Sequence, residues 1–287
     1  MKYAVIDIGS NSVRIMLDGN NPVNKKMLKS TQLAKGMVDG ILCQNKINET
    51  ATAVKEFFDY ATINGYQTFI FATEAVRSAK NGNILTDLIL QKTGIVVDVI
   101  KGEIEAKIGF LGACGNTGNK GIIDVGGASS EIAAGKDGNI YYSKSLPYGV
   151  VRIKDKFGND VCAMREFLRK KVTEYEKLKC DEYIAISGTA TSLSAMMQNL
   201  NTYDPFLVHD SYLSTKFLAE IIYKLYDKTP DFIANHYPVI GIKRAEVIVC
   251  GAVIMLEIAN YLGIDGFKVS DRDNTEGYLI YKEKISL

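Results

Sequence analysis

The sequence predicts an α/β fold made of two similar layered units, and three observations support this. Apolar runs rich in β-branched residues alternate with segments of helical spacing, which is typical of strands packed against helices. A strand–turn–strand pattern that starts at Val5 returns at Ile122, an offset of 117 residues. The 287 residues correspond to about two domains of ordinary size. We therefore expect one domain at residues 1–115 and a second at residues 116–287.

The first unit is predicted to open with two strands. Residues 3–8 are a short apolar run, residues 9–12 form a turn of glycine, serine and asparagine, and residues 13–17 are a second apolar run. Residues 18–20 then close a hairpin-like unit. The remaining segments alternate as a helix at 48–64, a strand at 67–72, a turn and helix start at 73–79, a helix at 84–92, a strand at 95–100 and a helix at 103–113. In the first of these helices the apolar residues share one face, and Gly65 follows as a helix stop.

The second unit repeats this alternation. Residues 121–125 and 130–134 are apolar runs separated by the turn 126–129, and residues 136–139 turn the chain into a third strand at 140–146. The segments that follow are a charged amphipathic helix at 163–178, a strand at 182–187, a helix from the turn 187–191 to about 200, helices at 213–226 and 243–262, a strand at 266–270 and a helix at 274–284. The last helix can pack back on the first unit.

The repeated pattern contains polar residues that can bind phosphate and metal. Its matched positions are Asp7 with Asp124, Gly9 with Gly126, Ser12 with Ser129 and Ile15 with Ile132. An aspartate at the end of a strand, followed by glycine and serine, places a carboxylate beside backbone N–H groups that can hold phosphate oxygens. The carboxylates can hold Mg²⁺, directly or through water. Two such turns facing each other would clamp a phosphate chain, and a third glycine turn at 187–191 opens a helix whose N-terminus can bind an anion.

Composition excludes several other classes of protein. The chain has 34 basic and 33 acidic side chains, a net charge of +1, which excludes a strongly basic nucleic-acid-binding protein. Its five cysteines are far apart and it has only two histidines, so no zinc-finger spacing exists and a reducing cytoplasm is expected. Asp7 interrupts what would be the apolar core of a signal peptide. The longest apolar run, residues 247–256, is too short to cross a membrane.

Taken together, the motifs resemble those of the Ppx/GppA phosphatase family, the exopolyphosphatases and guanosine pentaphosphate phosphohydrolases of the actin-like ATPase, sugar kinase and Hsp70 superfamily. The resemblance covers nearly the whole chain. The motifs that carry it are residues 4–12, 72–77, 102–106, 123–131, 145–149, 187–191 and 244–246, in the order in which the family has them. The resemblance implies two duplicated RNase H-like domains with the active site in the cleft between them.

The resemblance also implies roles for individual residues. The general base of the family corresponds to Glu105, and the carboxylates that position water and metal correspond to Asp124 and Glu131, with Asp7 as a further metal ligand. The implied cofactor is Mg²⁺ or another divalent cation. The residues expected to contact phosphate are Ser10, Asn11, Ser12, Arg14, Thr73, Arg77, Gly126, Gly127, Ser129, Gly188 and Thr189.

Three positions depart from the family pattern. Ala128 replaces the third glycine of a triple-glycine turn, where alanine would be strained if the backbone needed a positive φ. Gln32 and Thr275 stand where family members often have arginine. Because two cations are lost, we expect a weaker hold on a long polyanion.

The sequence therefore predicts a Mg²⁺-dependent hydrolase that releases terminal phosphate from inorganic polyphosphate or from guanosine pentaphosphate (pppGpp) by attack of water. Two alternatives keep the fold and change the function: an ATP-dependent kinase of a small molecule, and a non-catalytic regulator that binds a phosphorylated nucleotide. A cytoplasmic protein without nucleic-acid or membrane partners is expected, and the resemblance is compatible with a homodimer.

Overall fold

The first of two mixed sheets forms the N-terminal half of the protein. A computed structural model describes residues 2–19 and 25–285, with side chains described up to residue 283. The strands of this sheet are β1 (Tyr3–Ile8), β2 (Val13–Leu17), β3 (Lys25–Lys29), β4 (Gln67–Ala72) and β5 (Asp98–Val99). Their spatial order is β3-β2-β1-β4-β5, with β1, β2 and β3 antiparallel to one another and β4 and β5 parallel to β1.

The second sheet has the same plan with one extra strand. Its strands are β6 (Asn119–Val125), β7 (Ser130–Lys136), β8 (Asn139–Leu146), β9 (Glu182–Ile186), β10 (Tyr212–Ser214) and β11 (Gly266–Val269). Without the edge strand β10, the order β8-β7-β6-β9-β11 matches that of the first sheet strand by strand. This shared order confirms the predicted duplicated α/β fold. The predicted boundary between residues 115 and 116 stays a prediction.

Helices cover both sheets. They are α1 (Gln44–Ile63), α2 (Glu74–Arg77), α3 (Gly82–Thr93), α4 (Gly102–Ala113), α5 (Val150–Phe157), α6 (Val161–Lys171), α7 (Ser187–Met197), α8 (Pro205–Val208), α9 (Thr215–Leu225), α10 (Pro230–His236), α11 (Gly241–Ala245), α12 (Ile248–Leu262) and α13 (Asn274–Ile285). The apolar helix α12 is buried along nearly its whole length and packs against α5, α6, α7 and α9, which makes it the centre of the second core. None of the helices within the described residues is long and apolar enough to cross a membrane.

Two helices connect the halves. Helix α4 packs on β6, β7 and β8 of the second sheet, whereas α13 packs on β1 of the first sheet, where Tyr278 stacks on Phe71 at 4.6 Å between ring centroids. The two helices also pack closely on each other, since a Cβ on Gly277 would lie 1.6 Å from the carbonyl oxygen of Ile108. This contact positions the first turns of α4 and α13 beside the space between the sheets.

Several expectations about helices were wrong, for local reasons. The helix expected at 163–178 stops at Lys171 and continues as a short 3-10 turn, after which Tyr175 is extended and its hydroxyl donates to the carbonyl oxygen of Ser130. The helix expected at 213–226 starts at Thr215, because Tyr212–Ser214 pairs with β11 and the Ser214 hydroxyl caps the helix.

Other predicted elements were wrong or missing where an apolar run continues across a helix break or where an element is short. The single helix expected at 243–262 is two helices, α11 and α12, because Val247 has a non-helical backbone (φ −122°). Helix α5 and strand β3 were not predicted, and only Asp98–Val99 of the strand expected at 95–100 pairs in the sheet. The predicted closing turn at 18–20 ends at Asn20, which lies outside the described residues.

Candidate active site

The two repeated turns face each other across a narrow cleft between the sheets. Gly9 N–H donates to the Ser12 carbonyl at 3.0 Å, and Gly126 N–H donates to the Ser129 carbonyl at the same distance, so both copies close in the same way. The thirteen predicted site residues that line the cleft are Asp7, Ser10, Asn11, Ser12, Arg14, Thr73, Glu105, Asp124, Gly126, Gly127, Ser129, Gly188 and Thr189.

The two turns approach each other so closely that one position must be glycine. A Cβ on Gly127 would lie 2.6 Å from the Cβ of Ser10 and 3.0 Å from the backbone nitrogen of Asn11. The neighbouring Ala128 is fully buried, and it is not among the described non-glycine residues with a positive φ. Alanine is therefore unstrained at this departure from the family pattern.

Glu105 projects into the cleft from the first turn of α4. Its side chain is buried, and Oε2 lies 3.3 Å from Nη1 of Arg77. Burial raises the pKa of Glu105 to about 8, although the positive charge of Arg77 opposes the shift. A buried carboxylate with a pKa near neutrality is suited to exchange a proton with water.

Asp7 and Asp124 end the equivalent strands β1 and β6, one from each half. Asp7 Oδ2 accepts from Nη2 of Arg14 at 2.8 Å, and Asp124 Oδ2 accepts from Nδ2 of Asn274 at 2.9 Å. The other oxygen of each carboxylate is buried without a hydrogen-bond partner in the described part of the chain. Burial raises the pKa of Asp7 to about 6 and raises the pKa of Asp124, against the charge of Arg14.

The two remaining predicted site residues, Glu131 and Arg77, are not among the residues that line the cleft. Glu131 pairs with Asp124 across β6 and β7 and accepts from the Ser145 hydroxyl at 2.6 Å, while its Oε2 is buried without a partner among the described residues. Burial, reinforced by the charge of Glu105, raises the pKa of Glu131 well above its usual value. Arg77 binds Glu105, Glu74 and the carbonyl oxygen of Ile100. In this structure Arg77 therefore holds Glu105 and does not line the cleft.

Similarity to known proteins identifies the family of this chain. Residues 23–285 match the sequence profile of the Ppx/GppA phosphatase family. The chain belongs to the Ppx/GppA phosphatase family. The crystal structure of the Aquifex aeolicus family member is 27% identical in sequence, with a TM-score of 0.82 over 100% of this chain and 98% of that one. The predicted family and the predicted fold are both confirmed.

Curated relatives of this Ppx/GppA chain carry several names. Exopolyphosphatase 2 of Mycobacterium tuberculosis is 26% identical over 96% of this chain and 97% of its own length. The bifunctional 3-dehydroquinate synthase/phosphatase of Fusobacterium nucleatum is 28% identical over 96% of this chain, which spans only 46% of that protein. The guanosine-5'-triphosphate,3'-diphosphate pyrophosphatase of Pseudoalteromonas translucida is 25% identical over 96% of this chain and 58% of its own length.

Sequence reasoning missed a cation in the cleft of this family member. Arg244 lines the cleft, and a Cβ on Gly188 would lie 2.4 Å from its Nη2, so the glycine allows the guanidinium to reach the turn. No ion pair is found for Arg244 within the described part of the chain. Burial, with a smaller contribution from the charge of Arg14, lowers the pKa of Arg244 to about 10, which leaves it charged at neutral pH.

Sequence reasoning also missed Asn274 and Ser187, which line the same cleft. Asn274 is the first residue of α13 and holds Asp124, a contact that no sequence spacing reveals. Ser187 opens α7 with φ at 78°, a left-handed backbone that costs about 1–3 kcal/mol outside glycine. The hydroxyls of Ser187 and Thr189 both donate to the carbonyl oxygen of Val125, which fixes the helix start against β6.

The two lost arginines of the family pattern are replaced by residues with partners inside the protein. Gln32 donates to Oε2 of Glu246 at 2.8 Å. Thr275 donates through its hydroxyl to Oδ1 of Asp273 at 2.7 Å. Neither residue lines the cleft.

Proposed function

We propose that this chain hydrolyses the terminal phosphoanhydride bond of a phosphate chain, with water as the acceptor. The observation that carries the proposal is the buried Glu105 inside a cleft walled by two repeated turns, one from each half. The names of two relatives, exopolyphosphatase and guanosine-5'-triphosphate,3'-diphosphate pyrophosphatase, support inorganic polyphosphate and pppGpp as the substrates to test.

Glu105 is proposed to act as the general base. In its ionised form it would accept a proton from a water molecule as that water attacks the terminal phosphorus in line with the bond that breaks. The bond to the bridging oxygen breaks, and the products are orthophosphate and a chain shorter by one phosphate. Arg77, which contacts Glu105 from behind, would keep the carboxylate aimed at the water.

The phosphate oxygens are proposed to lie against the turns and Arg244. Gly188 and Thr189 lie in the first turn of α7 and line the cleft. The N–H groups of a first helical turn have no partner within the helix, and the positive end of the helix dipole favours an anion there. Arg244 adds a charge that no carboxylate of the described residues neutralises. Such fixed donors can stabilise the charge that spreads over the equatorial oxygens in the transition state.

A divalent cation such as Mg²⁺ is part of the proposal. The free buried oxygens of Asp7 and Asp124 suit a hard cation, as does the free Oε2 of Glu131 behind them. Within the described residues no three acidic, histidine or cysteine side chains form a complete metal site. Mg²⁺ usually keeps several waters and binds one or two carboxylates together with substrate phosphates. When bound, the cation would neutralise charge on the phosphate oxygens.

The test is phosphate release from tripolyphosphate, long polyphosphate and pppGpp, with and without Mg²⁺, by the wild-type chain and by Glu105→Gln. We expect Glu105→Gln to lower kcat about 10²–10⁴-fold, because it removes the proton acceptor while keeping the shape. Glu103→Gln is the matched control, since Glu103 lies in the same helical turn and is exposed. Unchanged release by Glu105→Gln would remove Glu105 as the base.

Phosphate transfer from ATP to a sugar or carboxylate would favour the kinase alternative, and tight binding of pppGpp without turnover would favour a regulator.

A further inference from the structure

Asp273 carries a carboxylate that competes with any phosphate for Arg14. It is buried at the start of α13, and its Oδ2 accepts from Nη1 of Arg14 at 2.8 Å, while Nη2 of the same guanidinium binds Asp7. Each terminal nitrogen of Arg14 therefore donates to a carboxylate of the protein. A phosphate that approaches Arg14 meets a guanidinium whose charge is already offset by two carboxylates.

Asp273 is fixed in this position by three further groups. The backbone N–H and the hydroxyl of Thr275 both donate to its Oδ1, at 2.9 Å and 2.7 Å, and Nζ of Lys26 lies 3.5 Å from the same oxygen. Burial opposes ionisation, but Lys26 and Arg14 hold the pKa of Asp273 below its ordinary value. The carboxylate is therefore charged at neutral pH.

Asp273 belongs to a cluster of paired charges, here called the Arg14–Lys26 cluster. Its members are the cations Arg14 and Lys26 and the carboxylates Asp7, Asp271, Asp273 and Glu276. Arg14 and Lys26 are each paired with carboxylates of the protein. A polyanion that passes along this cluster therefore meets carboxylates and cations that are already paired.

Residues of the Arg14–Lys26 cluster also line a second cavity beside the cleft. This cavity has a volume of about 350 Å³, and it shares Arg14, Gly188 and Arg244 with the cleft. Asp271 and Asp273 line it, together with the apolar residues Met27, Leu28, Val239 and Ile240. A phosphate chain longer than the cleft would extend into this space, which offers it no free cation beyond Arg244 among the lining residues.

We propose that Asp273 is a specificity-determining residue that restricts the site to short phosphate chains, because its carboxylate pairs with Arg14 and Lys26 in the lining of the second cavity. The inference rests on the proposed function and narrows its substrate class. The first phosphates of a substrate bind the turns and Arg244, and each further phosphate on this side meets the Arg14–Lys26 cluster. The like charges disfavour longer chains and leave short ones unaffected.

The test measures binding, so that it does not depend on turnover. In a Glu105→Gln background, Asp273→Asn keeps the cap of α13 and removes the charge, since asparagine is as good a cap as aspartate. Calorimetric titration with tripolyphosphate and with long polyphosphate gives the ratio of the two Kd values. We expect Asp273→Asn to improve binding of the long chain relative to the short one about tenfold. Phosphate release by the wild-type chain tests the proposed function separately.

Two more variants complete the experiment. Asp273→Ser also keeps a capping side chain without the charge, and we expect it to shift the ratio in the same direction. Asp271→Asn is the comparison variant. It removes another charge of the same cluster, but Asp271 pairs with Lys26 and not with Arg14, so we expect a smaller gain than in Asp273→Asn. An unchanged ratio in Asp273→Asn, an equal gain in Asp271→Asn, or no binding of either chain by Asp273→Asn would each overturn the inference.

Discussion

At the scale of single residues, the site brings together several carboxyl groups whose ionised form is disfavoured by burial. Asp7, Glu105, Asp124 and Glu131 are all buried, and burial raises the pKa of each. Such groups cost folding energy and are typical of functional sites. A bound cation would offset the negative charge of these carboxylates. The buried oxygens of Asp7 and Asp124 that lack a hydrogen-bond partner among the described residues are suited to bind it.

A pH profile follows from the raised pKa of Glu105. The group faces Arg77, which favours its ionised form, and Asp7, Asp124 and Glu131, which oppose it. Because the base must be ionised, kcat/KM should rise with pH toward the pKa near 8, about tenfold per unit well below it. A higher Mg²⁺ concentration should shift this rise in kcat/KM to lower pH, since a bound cation favours the ionised carboxylate. A flat profile between about pH 6 and about pH 9 would contradict the assignment.

The sequence identified those site residues that belong to short local motifs, but not those that only the fold brings to the cleft. Asp7 and Asp124 stood out because each sits in a short pattern that repeats, and Glu105 was reached through the family resemblance. Arg244 was quoted within a motif, but no spacing rule connects it with Gly188, because folding alone brings the two together. The same holds for Asn274, which reaches Asp124 from the far end of the chain.

At the scale of elements, the turns were predictable and the ends of helices were not. The strands of the first strand–turn–strand unit were predicted at their observed bounds, and those of the second unit within two residues of theirs, because glycine, serine and aspartate mark the turns strongly. The break between α11 and α12 was missed because the apolar pattern runs across it. Strand β10 was missed because three residues that pair with β11 lead directly into α9.

The contact between the turn at Gly188 and Arg244 gives a prediction for Gly188→Ala. The added Cβ would lie 2.4 Å from Nη2 of Arg244, so the guanidinium must move away from the start of α7. We expect KM for the phosphate substrate to rise about tenfold or more, as one charge-assisted contact is lost. Gly19→Ala, at an exposed position with no atom within 4 Å of the new Cβ, is the control. An unchanged KM in Gly188→Ala would show that Arg244 does not bind substrate.

At the scale of the whole molecule, the crossing of α4 and α13 positions residues that line the cleft. Each helix packs on the sheet of the other half, and their first turns carry Glu105 and Asn274 to the same space. The sequence predicted the two halves from the repeat and suggested that the last helix packs on the first unit, but it did not reveal that α4 packs on the second sheet. The close approach depends on Gly277, which has no local signal of its importance.

The crossing predicts a large loss of stability in Gly277→Ala. A Cβ 1.6 Å from the carbonyl oxygen of Ile108 meets backbone, which cannot move aside without separating α4 from α13. We expect a loss of about 3 kcal/mol or more in the free energy of unfolding, measured by urea denaturation. The exposed Gly19→Ala serves again as the control and should leave stability within about 0.5 kcal/mol. An equally small effect in Gly277→Ala would contradict the observed packing.

The central claim is that water accepts the terminal phosphate in this cleft. The most direct measurement is hydrolysis of tripolyphosphate by the wild-type chain with Mg²⁺ in water labelled with heavy oxygen, followed by mass spectrometry of the products. Attack of water on the terminal phosphorus predicts one heavy oxygen in each released orthophosphate and none in the remaining pyrophosphate. Orthophosphate without the label, or no release of phosphate, would contradict the account.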